Sequence, residues 1–297
     1  MRIKPLAITV LLGVICSLSV AERDPSATPK AAAWRRTAGT LTAPIVAKVR
    51  VPNTSLRVST EHPRTNNEKR KTKNESSLLP IVAQPDILPE DQIFLDRVLR
   101  ALPRPCREGM RHLVVRYPSL EPGDIERGQS TATTVILRGP LSGLGGTERT
   151  EMIAVIVHET CGHSVDLGLL QGSPRAGESS FPDGWIPTYR DDPSVRFYRI
   201  SWLTAERQHR KNTRANFVSG YARHDPFEDF AETATMYVLQ NATLRALAES
   251  NEMLAAKEAF MRDEVFGPDF VPFPGIPLDL GEERVWDVTK LPHGFDF

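Results

Sequence analysis

The sequence predicts an α+β domain standing behind an export signal and a basic, disordered tether. Residues 1–21 place a short apolar run after two basic residues. Residues 22–85 are rich in Pro, Thr, Ser, Asn, Lys and Arg, with only the short apolar run Ile45–Val51. From Asp86 onward, helical periodicity alternates with runs of β-branched residues.

The 297 residues are 40% apolar and 25% charged, enough for a sizeable core and unlike collagen-like or low-complexity chains. Lys+Arg and Asp+Glu balance at 37 each, but the net zero is divided as +2 over residues 1–21, +7 over 22–85 and −9 over 86–297. A neutral chain gives no global case for nucleic-acid binding. The basic tether could contact an anionic cell envelope, although a solvated linker is the simpler reading.

Residues 1–21 read as a signal peptide. Arg2 and Lys4 form the basic start, Leu6 to Val20 the apolar stretch, and Ser19-Val20-Ala21 the small residues before a cleavage point. The stretch is too short for a firm membrane span. The mature chain is expected to be secreted or periplasmic, at the cell envelope. Ile15 stands before Cys16 where lipidation would want a small residue. Only Cys106 and Cys161 then remain, and a disulfide, free buried thiols and metal-proximal thiols are all open. Residues 22–85 cannot bury enough apolar surface to offset chain entropy and are read as disordered.

A folded domain is expected over residues 86–270. Ile93, Phe94, Val98, Leu99 and Leu102 recur at helical spacing from Asp91. Residues 112–117 and 131–137 read as strands. After a Gly/Pro turn over 139–146, Thr147 is a plausible N-cap for a helix apolar on nearly every side, and therefore buried. Residues 168–193 form a long connection, either a lid or an ordinary surface loop. Helices are expected at about 194–208, 226–240 and 243–264, followed by an irregular tail over 271–297 that wraps the domain.

The chemistry concentrates in Val157-His158-Glu159-Thr160-Cys161-Gly162-His163-Ser164-Val165-Asp166. Two imidazoles and a carboxylate on a buried helix need partners. In zinc hydrolases, two histidines four apart face one metal and the glutamate after the first acts as base. Here the spacing is five, which on a regular helix separates the rings by roughly 140° instead of about 40°. A π-bulge would restore alignment, and Gly162 is the residue best suited to that distortion.

The ending Gly162-His163-Ser164-Val165-Asp166 resembles the gluzincin peptidases of the anthrax lethal factor and proline-proline endopeptidase type. The five-residue spacing is similar to the zinc helix of dipeptidyl peptidase III. A gluzincin takes its third ligand, a glutamate, from a later helix, usually with a second acid one turn on. Asp225-Pro226-Phe227-Glu228-Asp229-Phe230-Ala231-Glu232 supplies both, and Tyr221 stands seven residues before Glu228, as in the lethal-factor type. The resemblance covers roughly residues 150–240. It implies a zincin-like metallopeptidase domain holding one zinc ion on His158, His163 and Glu228.

Zinc lowers the pKa of a bound water from near 15.7 toward about 7. Glu159 would then be the general base and Tyr221 the donor to the oxyanion, while Glu232 or Asp166 orients a ligand imidazole. The 131–137 strand could be the edge that pairs with an extended substrate. Peptide or protein substrates and a monomer are expected, and no nucleotide-binding glycine motif is present.

Simpler readings stand beside these. The histidines could be hydrogen-bonded core residues, and Asp225-x-x-Glu228 could be a capping box with Pro226 in the first turn. Asp166 could be a helix-end hydrogen-bonding group. The rival for the whole domain is a non-catalytic zincin-like envelope or adhesion module, with a structural metal or none.

Overall fold

The computed structural model describes residues 86–117, 127–281 and 284–295. The expected signal peptide and tether lie outside them. The architecture is mixed α+β. It opens with helix α1, Pro89–Ala101, started by proline in its first turn and buried along Phe94, Leu95, Val98 and Leu99. A short helix α2, Pro105–Glu108, follows.

A three-stranded sheet comes next: β1, His112–Arg116; β2, Gly128–Ser130; and β3, Thr134–Arg138. The spatial order is β1-β3-β2, with β1 parallel and β2 antiparallel to β3. This corrects the expected strand over 131–137. Thr131 turns the chain there: its N–H donates to Thr134 O at 2.8 Å, and its hydroxyl accepts from Thr134 N at 3.2 Å. The β-branched run is thus split between a turn and the central strand. The edge beside the candidate site is β2, and β3 has no free edge to offer a substrate.

Helix α3, Gly146–Val157, is buried from Met152 onward, as its composition requires. It starts two residues earlier than Thr147 predicts, from an extended Gly145 that contributes no side-chain cap. The helix then continues as a π-helix over His158–Leu169. Helix α4 covers Pro193–Ser201, with the Asp192 carboxylate capping Ser194 N. The helix predicted to reach residue 208 stops there. At Trp202 the chain becomes extended, and the buried indole donates to Asp229 Oδ2 at 3.1 Å. A small hairpin follows, β4 (Trp202–Thr204) with β5 (Arg207–Gln208).

Helix α5, Pro226–Leu239, is buried along almost its whole length. Helices α6, Asn241–Glu249, and α7, Glu252–Phe260, replace the single helix expected over 243–264. Asn251 divides them, its side chain accepting from Met253 N and Leu254 N at 3.1 Å, which makes it the N-cap of α7. Within this core lies an ion pair that is completely buried on both sides. Lys257 Nζ sits 2.7 Å from Asp229 Oδ1 and 4.3 Å from the Phe217 ring centroid. The tail is irregular as expected, with one 3-10 turn at Val288–Lys290.

Candidate metal centre

In a π-helix the hydrogen bond runs from residue i to i+5, so positions five apart stack one above the other. The spacing that would separate His158 from His163 on an α-helix therefore aligns them here. Their ring centroids are 4.9 Å apart. The distortion is a twelve-residue stretch instead of the single bulge expected.

Gly162 lies within the π-helix and has a second role besides the one anticipated. A Cβ on it would lie 2.6 Å from both Cα and Cβ of Ala231 on α5. The missing side chain lets α5 approach the π-helix closely enough for Glu228 and Glu232, either side of Ala231, to reach the imidazoles. Proline and the Asp225 cap start α5 as the sequence predicts. The carboxylate of Asp225 accepts from Phe227 N at 2.9 Å and Glu228 N at 2.8 Å. The Glu228 side chain instead turns to the histidines.

Glu228 Oε2 lies 3.2 Å from His158 Nε2 and 3.4 Å from His163 Nε2. This oxygen is buried and completes no hydrogen bond. The other carboxylate oxygen accepts from the Tyr221 hydroxyl at 3.1 Å. Donor atoms of His158, His163 and Glu228 all lie within 4.8 Å of one another. Two imidazoles and a buried carboxylate oxygen facing one another are a donor set that could hold a metal ion.

The opposite ring nitrogen, His158 Nδ1, faces Glu232 Oε1 at 3.2 Å, close by distance but without completed hydrogen-bond geometry. Glu232 is itself fixed from behind. Its Oε2 accepts from the Ser219 hydroxyl at 2.5 Å and from Val288 N at 3.0 Å.

Electrostatics follow from this crowding. Burial disfavours the His158 imidazolium, yet the carboxylates of Glu228 and Glu232 outweigh it and raise its pKa well above the ordinary value. Burial likewise opposes ionisation of Glu228, and the two histidines overcome it and hold the carboxyl below its usual range. Burial and the Glu228 charge push Tyr221 well above a normal phenol, so it stays protonated and can donate.

Glu159 opens into a cleft of about 340 Å³ that holds the histidines, Tyr221 and Glu228. Its Oε2 accepts from the Ser130 hydroxyl at 2.7 Å. Gly128 allows this approach, because a Cβ there would lie 2.6 Å from Glu159 Oε1.

Known proteins offer no guide to this centre. The chain matches no family model, no curated protein and no solved structure. Its chemistry is carried by its own geometry.

Two readings left open by the sequence are narrowed. Asp166 Oδ1 accepts from the Tyr198 hydroxyl at 2.6 Å, as a hydrogen-bonding group of the helix. Cys161 is bonded to Cys106, so it supplies no thiolate to a metal. Other contributors were not legible: Ser130, Ser219, the Val288 N–H, and the tail residues Asp287, Thr289 and Lys290 that line the cleft. Ser219 stands close to Tyr221 in the sequence, but a serine there carries no distinctive signal.

Proposed function

We propose that this chain is an exported zinc-dependent metallopeptidase with a zincin-like catalytic domain. The observation that carries the reading is the convergence of donor atoms of His158, His163 and Glu228 within 4.8 Å, in a cleft that Glu159 also lines. Zinc held by these three residues would supply Lewis-acid activation of water at neutral pH.

The chain's own groups divide the remaining work. Glu159, aligned by Ser130, takes the proton from the attacking water and returns it to the leaving amine. Tyr221, kept protonated, donates to the oxygen that becomes negative as the peptide carbonyl is attacked. Glu232 holds the His158 ring in place from its Nδ1 side. The cleft walls around β2 leave room for an extended peptide or protein substrate.

The test is metal stoichiometry by elemental mass spectrometry on the purified chain, with His163→Ala and Glu159→Gln alongside. We expect one zinc per chain, lost in His163→Ala and kept in Glu159→Gln, with peptide cleavage reduced at least ~10²-fold in the latter. A wild-type chain that stays metal-free after zinc reconstitution would remove the mechanism. Unchanged turnover in Glu159→Gln would unseat the base. Zinc retained without cleavage of any peptide would favour a non-catalytic module.

A further inference from the structure

The metal cleft continues into a second cavity of about 290 Å³, sharing Ser130, Leu167 and Asp183 with it. Three carboxylates line this side cavity: Asp166, Asp183 and Asp192. No Lys, Arg or His lines it. Asp166 is 1% exposed. Its Oδ2 completes no hydrogen bond, nor does the hydroxyl of neighbouring Ser194. Burial, aided by the Asp192 charge, outweighs the hydroxyls of Ser194 and Tyr198 and the more distant His163, and lifts the Asp166 pKa to about 7. Tyr189 and Tyr198 supply aromatic surface in the same cavity.

Asp183 sits where the cavities meet. It belongs to a tight turn in which Asp183 and Ile186 exchange both backbone hydrogen bonds at 2.9 Å, with Gly184 at φ +57° and Trp185 projecting into solvent. A third cavity, which Asp183 also lines, holds Glu206 and Asp225 and again no cation. Carboxylates thus dominate this end of the cleft, whereas Arg127 and Lys290 stand in the main cleft, each paired with Glu151.

We propose that the cavity between Asp166 and Asp183 is a specificity subsite for a cationic side chain, arginine or lysine, flanking the bond placed at the metal centre. The assignment of the bond rests on the peptidase reading above; the affinity for the cation does not. A buried acid lacking one partner gains most from a ligand that brings its own positive charge. A planar guanidinium can bond a carboxylate while lying against a tyrosine face. The volume suits one long side chain better than a drug-sized ligand. The 168–193 connection, open between lid and surface loop in sequence, thereby gains a recognition role through Asp183 and Asp192.

The experiment has two arms on the full chain. In the first, N-acetyl-arginine amide is titrated by calorimetry or NMR, beside N-acetyl-citrulline amide, which keeps the shape and removes the charge. Arginine amide should bind at least tenfold more tightly than citrulline amide. The preference should collapse in Asp183→Asn and in Asp166→Asn, whose thermal midpoints report folding; in the latter, the side-chain amide oxygen can still accept from Tyr198. Equal binding of the two amides, no binding of arginine amide, or a preference unchanged in both variants would overturn the subsite.

In the second arm, the zinc-loaded chain is incubated with a randomised peptide library. Enrichment of Arg or Lys at one fixed position from the cut supports both readings. Cleavage without that enrichment overturns the subsite alone. Selective arginine binding with no cleavage overturns the peptidase reading and leaves the cation site standing.

Discussion

Three glutamates around one pair of imidazoles sit in three different surroundings. Glu228 is pressed between both Nε2 atoms, Glu232 is sealed behind His158 by Ser219 and the Val288 N–H, and Glu159 faces the cleft, held by a serine. Tyr221 bridges between them, its hydroxyl on Glu228 and its ring 6.4 Å from the His158 ring. Removing only that hydroxyl should spare the metal and weaken the reaction. Tyr221→Phe is expected to keep its zinc while kcat falls by about 10²-fold or more, the scale of a lost oxyanion donor. Zinc lost together with activity would instead make the hydroxyl a support for Glu228. The histidines, the three glutamates and the tyrosine could all be found from spacing along short segments. Ser130 and Val288 could not, because they reach their glutamates from 29 and 56 residues away, and only the folded chain brings them there.

Among the elements, the π-helix and α5 form a unit whose geometry depends on one absent methyl group. The sequence shows that five-residue spacing needs a departure from the α-helix, and His158–Leu169 departs for its entire length. It does not show that Gly162 is a contact point, since the partner, Ala231, lies on a distant helix. Gly162→Ala should therefore push the two elements apart. Stability is expected to fall by about 1–3 kcal/mol, the usual cost of overpacking a filled core, and zinc affinity should fall with it as Glu228 withdraws. Chemical denaturation together with zinc competition titration checks both; a variant with unchanged metal affinity would show that the helices absorb the methyl elsewhere. Element boundaries went wrong for equally local reasons. The Thr131 hydroxyl made a turn inside a β-branched run, Trp202 left its helix to reach Asp229, and Asn251 capped a new one.

Over the whole molecule, the α+β class and the order of the principal helices could be read from periodicity, whereas closure of the site could not. The tail was expected to wrap the domain, but its chemistry was invisible. Asp287, Thr289 and Lys290 line the cleft, and Val288 seals Glu232. The disulfide was one of several open fates for two cysteines, and the fold decides it by bringing both thiols together in the core. Cys106 on α2 is bonded to Cys161, which lies on the π-helix between His158 and His163. Both sulfurs are sealed from solvent. Cys106→Ser with Cys161→Ser should lower stability by about 2–5 kcal/mol and reduce zinc occupancy, read by thermal unfolding and elemental analysis. Full occupancy in that variant would show that packing alone holds the histidines in line.

A bond at that position also acts as a clock. Thiols stay reduced where a chain is synthesised in the cytosol, and they pair where the surroundings oxidise them. A newly made chain would carry its histidines on a helix not yet tied to α2, and the tie would form only after transfer to an oxidising compartment. For the exported peptidase proposed above, oxidation would then be a maturation step, leaving the activity unfinished inside the cell that makes it.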